Sequence, residues 1–131
     1  MGQQQLLLIV LGVIIVGIAV VVGINVFTAS AIEANRNAVI SDLTNLATMA
    51  QQHYRKPVAM AGGGNAFNAS KGGTAWTIPA QLDTTANGTY TATVNAATVV
   101  LVGTGTESSG GSPVKVTMTV TPTSFTSKVN N

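Results

Sequence analysis

The chain has 131 residues, of which 46% are hydrophobic and only 8% charged, with a net charge of +2. So few charges leave no basic patch for nucleic acid, and the absence of cysteine excludes disulfide staples and thiolate metal sites. The length allows one small domain and no more beyond an anchoring segment.

From Leu6 to Ile24 every residue is apolar or glycine, and no charged side chain precedes Glu33. A run of about nineteen residues makes a helix of about 28 Å, close to the hydrocarbon thickness of a bilayer. Being apolar on all sides, it must sit in lipid or among copies of itself. A head of about 75 residues is too small to wrap it. A secretory signal peptide has a basic start and an apolar core of about 7–15 residues. This chain starts Met1-Gly2-Gln3-Gln4-Gln5, without Lys or Arg, and its core is longer.

The helical pattern continues past Phe27. Ile32, Val39, Ile40, Leu43, Leu46, Ala47, Ala50 and Tyr54 recur at the three–four spacing of an amphipathic helix, with polar residues between them. Glu33 and Arg36 are spaced for a one-turn ion pair. Pro57 marks the end, and Arg55 and Lys56 suit the negative pole of the helix dipole. The sequence predicts one helix over residues 1–56, apolar in its first half (1–30) and amphipathic in its second.

Residues 57–131 form the predicted head. Gly62–Gly64 and Gly72–Gly73 are loop-forming and read as a flexible connector, with Phe67, Trp76 and Ile78 as anchors. Asn87-Gly88 leads into a strand over Tyr90–Asn95, followed by a turn and a second strand over Thr98–Val102. Gly103–Pro113 reads as a long Gly/Ser/Thr loop. Val114, Val116, Met118 and Val120 then alternate with Lys115, Thr117, Thr119 and Thr121 as a clear strand, and Ser124–Val129 as a short edge. The expected fold is α+β, an antiparallel meander of three or four strands with one apolar face. So small a sheet needs a cover. Val39, Leu43, Leu46, Ala50 and Tyr54 are expected to lie on Tyr90, Val94, Val100, Val116 and Val120.

This layout resembles that of the type IV pilins. The apolar charge-free N-terminal helix running into an amphipathic half, the glycine-rich connection and the terminal meander carry the resemblance. The stretch Ala50-Gln51-Gln52-His53-Tyr54-Arg55-Lys56-Pro57 also looks like the helix end of bacterial members. The resemblance implies a subunit exported as a prepilin, trimmed by a prepilin peptidase and methylated at its new N-terminus. Such a subunit waits in the lipid bilayer of the inner membrane and is stacked by assembly machinery into a homopolymeric surface filament. The implied assembly residues are Met1, Gln5, Leu6, Leu8, Ile9, Val13, Ile14, Val16, Val20, Val21 and Ile24.

Two departures stand out. Most members of that family place a glutamate where Gln5 stands, and an amide cannot neutralise a neighbour's ammonium group. The mature N-terminus is expected at Met1, with a leader already removed, or else at Gln3. Bacterial members also commonly carry a proline near Val22-Gly23. Here Gly12, Gly17 and Gly23 are the places where the helix could unravel, each costing about 1 kcal/mol against alanine, or where helices could pack closely.

No catalytic constellation is visible. His53 has no second histidine in the chain, Asp83 and Glu107 are isolated, and the glycine runs lack the Gly-Lys-Ser/Thr ending of a phosphate loop. No cofactor, metal or nucleic-acid partner is expected. Asn68-Ala69-Ser70 and Asn87-Gly88-Thr89 are two sequons, so Asn68 and Asn87 are possible glycosylation sites. The expected function is a structural filament subunit at the cell surface. The alternatives are a pseudopilin of a secretion system and a non-polymerising single-pass membrane protein with a small exterior binding domain.

Overall fold

A computed structural model describes residues 2–131. Met1, expected to take part in assembly, lies outside the described residues. One helix, α1 (Gly2–Arg55), is followed by strands β1 (Thr84–Thr85), β2 (Gly88–Val94), β3 (Val99–Ser109), β4 (Ser112–Val120) and β5 (Phe125–Val129). The strands form a single antiparallel meander in the order β1-β2-β3-β4-β5. The 54-residue helix is about 80 Å long. Its second half lies on one face of the sheet and its first half projects beyond it.

The core is the contact between these two layers. Val39, Leu43, Leu46, Ala47 and Ala50 of α1 are buried against Tyr90, Val99, Leu101, Val116, Met118 and Val120, with Phe67 and Trp76 closing one side. Tyr54 packs at the margin of this core, its ring centroid 4.8 Å from that of Phe67. The register sets Leu101 between Ala92 and Met118, and Val99 between Val94 and Val120. The opposite face carries Thr91, Thr93, Thr117 and Thr119. Val100, expected beneath the helix, belongs to that outer face. In the run Thr98–Val102 all three central residues are apolar, so alternation could not choose the phase; the pairing with β4 puts Val99 and Leu101 inward instead.

Two further expectations are corrected. The segment Gly103–Pro113 is not a loop. It is the outer half of the β3–β4 hairpin, and Glu107 lies in a strand. Gly110 and Gly111 have φ of 61° and 83°, the two left-handed residues of the tight hairpin turn whose twist matches that of its strands. Ser109 pairs with Ser112 on either side of it, and the ladder shifts register between Thr104 and Ser108. The sheet has five strands because Thr84–Thr85 adds a two-residue edge to the start of β2.

Gly62–Gly64 is a helix cap rather than a free connector. The N–H groups of Gly63, Gly64 and Asn65 donate to the carbonyls of His53, Lys56 and Tyr54 at 2.9, 3.0 and 2.8 Å. They satisfy acceptors that the end of a helix leaves without partners. A Cβ at Gly63 would lie 1.8 Å from the Ala66 carbonyl oxygen, so no other residue fits there.

Candidate assembly surface

The helix is seated on the sheet by polar contacts around the apolar strip. At the end nearer the projecting half, Asn35 Nδ2 donates to the Asn87 carbonyl at 2.9 Å, and its Oδ1 accepts from the Glu107 N–H at 3.2 Å. Midway, Asp42 Oδ2 accepts from Tyr90 Oη at 2.5 Å, Asn87 Nδ2 at 3.0 Å and Thr85 Oγ1 at 3.2 Å. Burial pushes the Asp42 carboxyl up, but these donors outweigh it and hold the group below its ordinary value. At the far end Gln51 Nε2 donates to the Thr121 carbonyl at 3.1 Å. Arg36 and Glu33 form the ion pair expected from their spacing, at 2.6 Å, on the surface. Pairs of that kind contribute at most about 1 kcal/mol. The helix therefore has a fixed position and rotation relative to the head.

That seating leaves the first half of α1 uncovered. Leu6, Leu8, Ile9, Val13, Ile14, Val16, Val20, Val21 and Ile24 are all 52–68% exposed, and Gln5 is exposed at their N-terminal side. The stretch is long and apolar enough to cross a membrane, and none of it is buried in the head. About fifteen large aliphatic side chains are involved. Removing them from water is worth on the order of 20 kcal/mol, more than the roughly 5–15 kcal/mol that holds a typical domain folded. An apolar environment for this half is therefore a thermodynamic requirement.

The helix is continuous through Gly12, Gly17 and Gly23, and a Cβ at any of them would meet nothing. At about 100° per residue, Gly12, Ala19, Gly23 and Ser30 fall within about 20° of one line along α1. Val39, Leu46 and Ala50, which face the sheet, lie on the opposite side. These small residues thus point away from the head, whereas Gly2, Gly17, Ala29 and Ala31 lie off their line.

The remaining polar side chains mostly serve the fold. His53 Nε2 lies 2.6 Å from the Thr74 carbonyl oxygen, which ties the helix end to the loop beyond the cap. Among the described residues no three His, Asp or Glu side chains gather as a metal site. The two sequons differ. Asn68 is half-buried, and its Oδ1 accepts from the Ser70 N–H at 3.0 Å, a bond that leaves the amide nitrogen unused. The corresponding nitrogen of Asn87 is spent on Asp42.

Sequence reasoning identified the projecting segment but missed the polar contacts that seat the helix. Their signal was weak: Asn35 and Asp42 flank the apolar strip that carries Val39 and Leu46, a border where polar side chains are ordinarily solvated. No family model, curated protein or solved structure matches the chain.

Proposed function

We propose that this chain is a structural subunit that polymerises through its N-terminal helix into a surface filament similar to a type IV pilus. The observation that carries the proposal is the uncovered half of α1, apolar all round and directed out of a head that seats the other half rigidly. In a bundle of such helices the heads lie outside. The face opposite each head then points inward, and Gly12, Ala19 and Gly23 on that face allow neighbouring backbones to approach closely. Lipid and fibre core are similarly apolar, so the segment moves from bilayer to fibre at little cost. Selectivity then comes from packing and from the amides of Gln3, Gln4 and Gln5. The prepilin peptidase and membrane assembly machinery belong to the same proposal.

The test is negative-stain electron microscopy of material sheared from the source cells, with mass spectrometry of the N-terminal peptide. Fibres composed mainly of this chain, with a methylated N-terminus, are the expected result. Chain found only as detergent-extracted monomer, with no fibres, would leave the second reading, a single-pass anchored protein. The bilayer-matched length of the apolar run serves that reading equally well.

A further inference from the structure

The sheet has two open edges, and they match each other. Along β4–β5, Asn130 donates to the Lys115 carbonyl and Thr121 to that of Ser124. With the alternation of an antiparallel ladder, this turns the backbone groups of Phe125, Ser127 and Val129 outward. On the other side, β1 covers only Gly88 and Thr89, and Asp83 takes the Tyr90 N–H. The same alternation leaves Ala92 and Val94 with outward-facing N–H and C=O groups that no other segment among the described residues bonds. Beside them runs an open cleft of about 510 Å³ between β2 and the extended segment Ala75–Ile78.

We propose that β5 of one copy of this chain adds to the free stretch of β2 in the next, joining heads edge to edge. The proposal rests on the filament reading for the direction of the helices. Three antiparallel steps separate β2 from β5, so β5 of a copy pointing the same way meets β2 antiparallel. Pairing like edges antiparallel about a twofold axis would instead reverse one helix against the other. Side-chain faces agree as well. Phe125, Ser127 and Val129 share the inner face with Val120, Met118 and Val116, as Ala92 and Val94 do with Leu101 and Val99. Phe125 and Val129, 38% and 46% exposed, thereby gain an apolar cleft. The charges are complementary too: the cleft lining carries Asp83 and no base, and β5 carries Lys128 and no acid. Asp83 beside Tyr90 and Phe67 beside Ala96 bound the free stretch, which places Thr93 opposite Thr126 or Lys128 of the neighbour.

Because the chain lacks cysteine, the test is a paired substitution in the full-length protein in its membranes or fibres: Thr93→Cys with Thr126→Cys, and Thr93→Cys with Lys128→Cys. Within one chain β3 and β4 hold these strands about 14 Å apart, beyond the roughly 7 Å between Cα atoms that a disulfide can bridge. Every bond therefore joins two chains. The expected result is a reducible ladder of trimers and larger species for one of the pairs, with each single variant stopping at dimer. Adding Ser127→Pro, whose lost N–H faces outward, should abolish the ladder without shifting the thermal melt. Fibres in which both pairs stay monomeric, or a ladder that survives Ser127→Pro, overturn edge pairing and leave the filament reading intact. A ladder without fibres does the reverse, and absence of both overturns both.

Discussion

The Tyr90 hydroxyl donates to Asp42 Oδ2 across 2.5 Å, linking the seated half of the long helix to the second strand. Tyr90 is almost wholly buried, and burial together with the adjacent carboxylate pushes its phenol far above the ordinary value. Hydrogen bonds to charged groups contribute roughly 1.5–3 kcal/mol. Tyr90→Phe should therefore lower stability by about 2 kcal/mol. Asp42→Ala should cost at least as much, because it also strands the Asn87 amide. Urea unfolding of the detergent-solubilised chain measures both.

The same pair is expected to shape the pH limits of the head. The folded Asp42 carboxyl titrates below its unfolded value of 3.8. Its contribution is thus complete above that value and is lost as pH falls through the folded one. Tyr90 has the opposite sign. Its folded value is raised above 10.0, so its contribution is complete below that and declines as pH rises further. Melting temperature plotted against pH should form a plateau that falls on the acid side below about pH 4 and on the alkaline side above about pH 10. Asp42→Asn should flatten the acid limb, and an unchanged limb would show that other carboxylates govern it.

The cap at the helix end gives a contrast between two glycines. Gly63 has backbone oxygen where a Cβ would go, whereas Gly72 has open space and only a positive φ of 83°. Gly63→Ala should cost about 3 kcal/mol through forced backbone movement, and Gly72→Ala about 1 kcal/mol through conformational strain. Comparable losses from the two would mean that the cap is as mobile as glycine composition alone suggests.

Sugar attachment separates the two sequons. Where the host glycosylates asparagine, Asn68 should be modified and Asn87 left bare, because a glycan on the Asn87 amide nitrogen would displace its bond to Asp42. Mapping by intact mass and peptide sequencing decides this. Modification of Asn87 on the folded protein would show that the turn between β1 and β2 leaves the helix.

The helix and its two halves were legible because uninterrupted apolar residues and then a three–four period over Val39–Ala50 admit one reading each. β4 was legible for the same reason, with Val114, Val116, Met118 and Val120 separated by polar residues. The phase of Val99–Val102 was not, since a strand with no polar residue inside it carries no marker of face. Thr104–Ser109 was hidden by composition. Glycine and serine mark loops on average, yet here Gly105 lies against Asn35 on α1 and Gly110-Gly111 makes the turn. Both facts depend on tertiary neighbours. The resting places of Asp42 and Asn35 were likewise invisible, because a polar residue on a helix is mute about which loop will reach it.

The projecting half of α1 and its seated half should respond to mutation in opposite ways. Leu43 is fully buried beneath the sheet, and Leu43→Ala should cost about 2–5 kcal/mol, visible as a lower melting temperature of the detergent-solubilised chain. Val13 is 67% exposed and outside the head, so Val13→Asn should leave that melt unchanged. In a fibre its amide would be buried without partners, at a cost of about 1–3 kcal/mol for each copy. Repeated along a polymer, that penalty should reduce sedimentable fibre at least tenfold. Equal melting losses from the two variants would contradict the separation of head and projecting helix. Undiminished fibre from Val13→Asn would show that assembly runs through another surface, and the sheet edges are the first place to look.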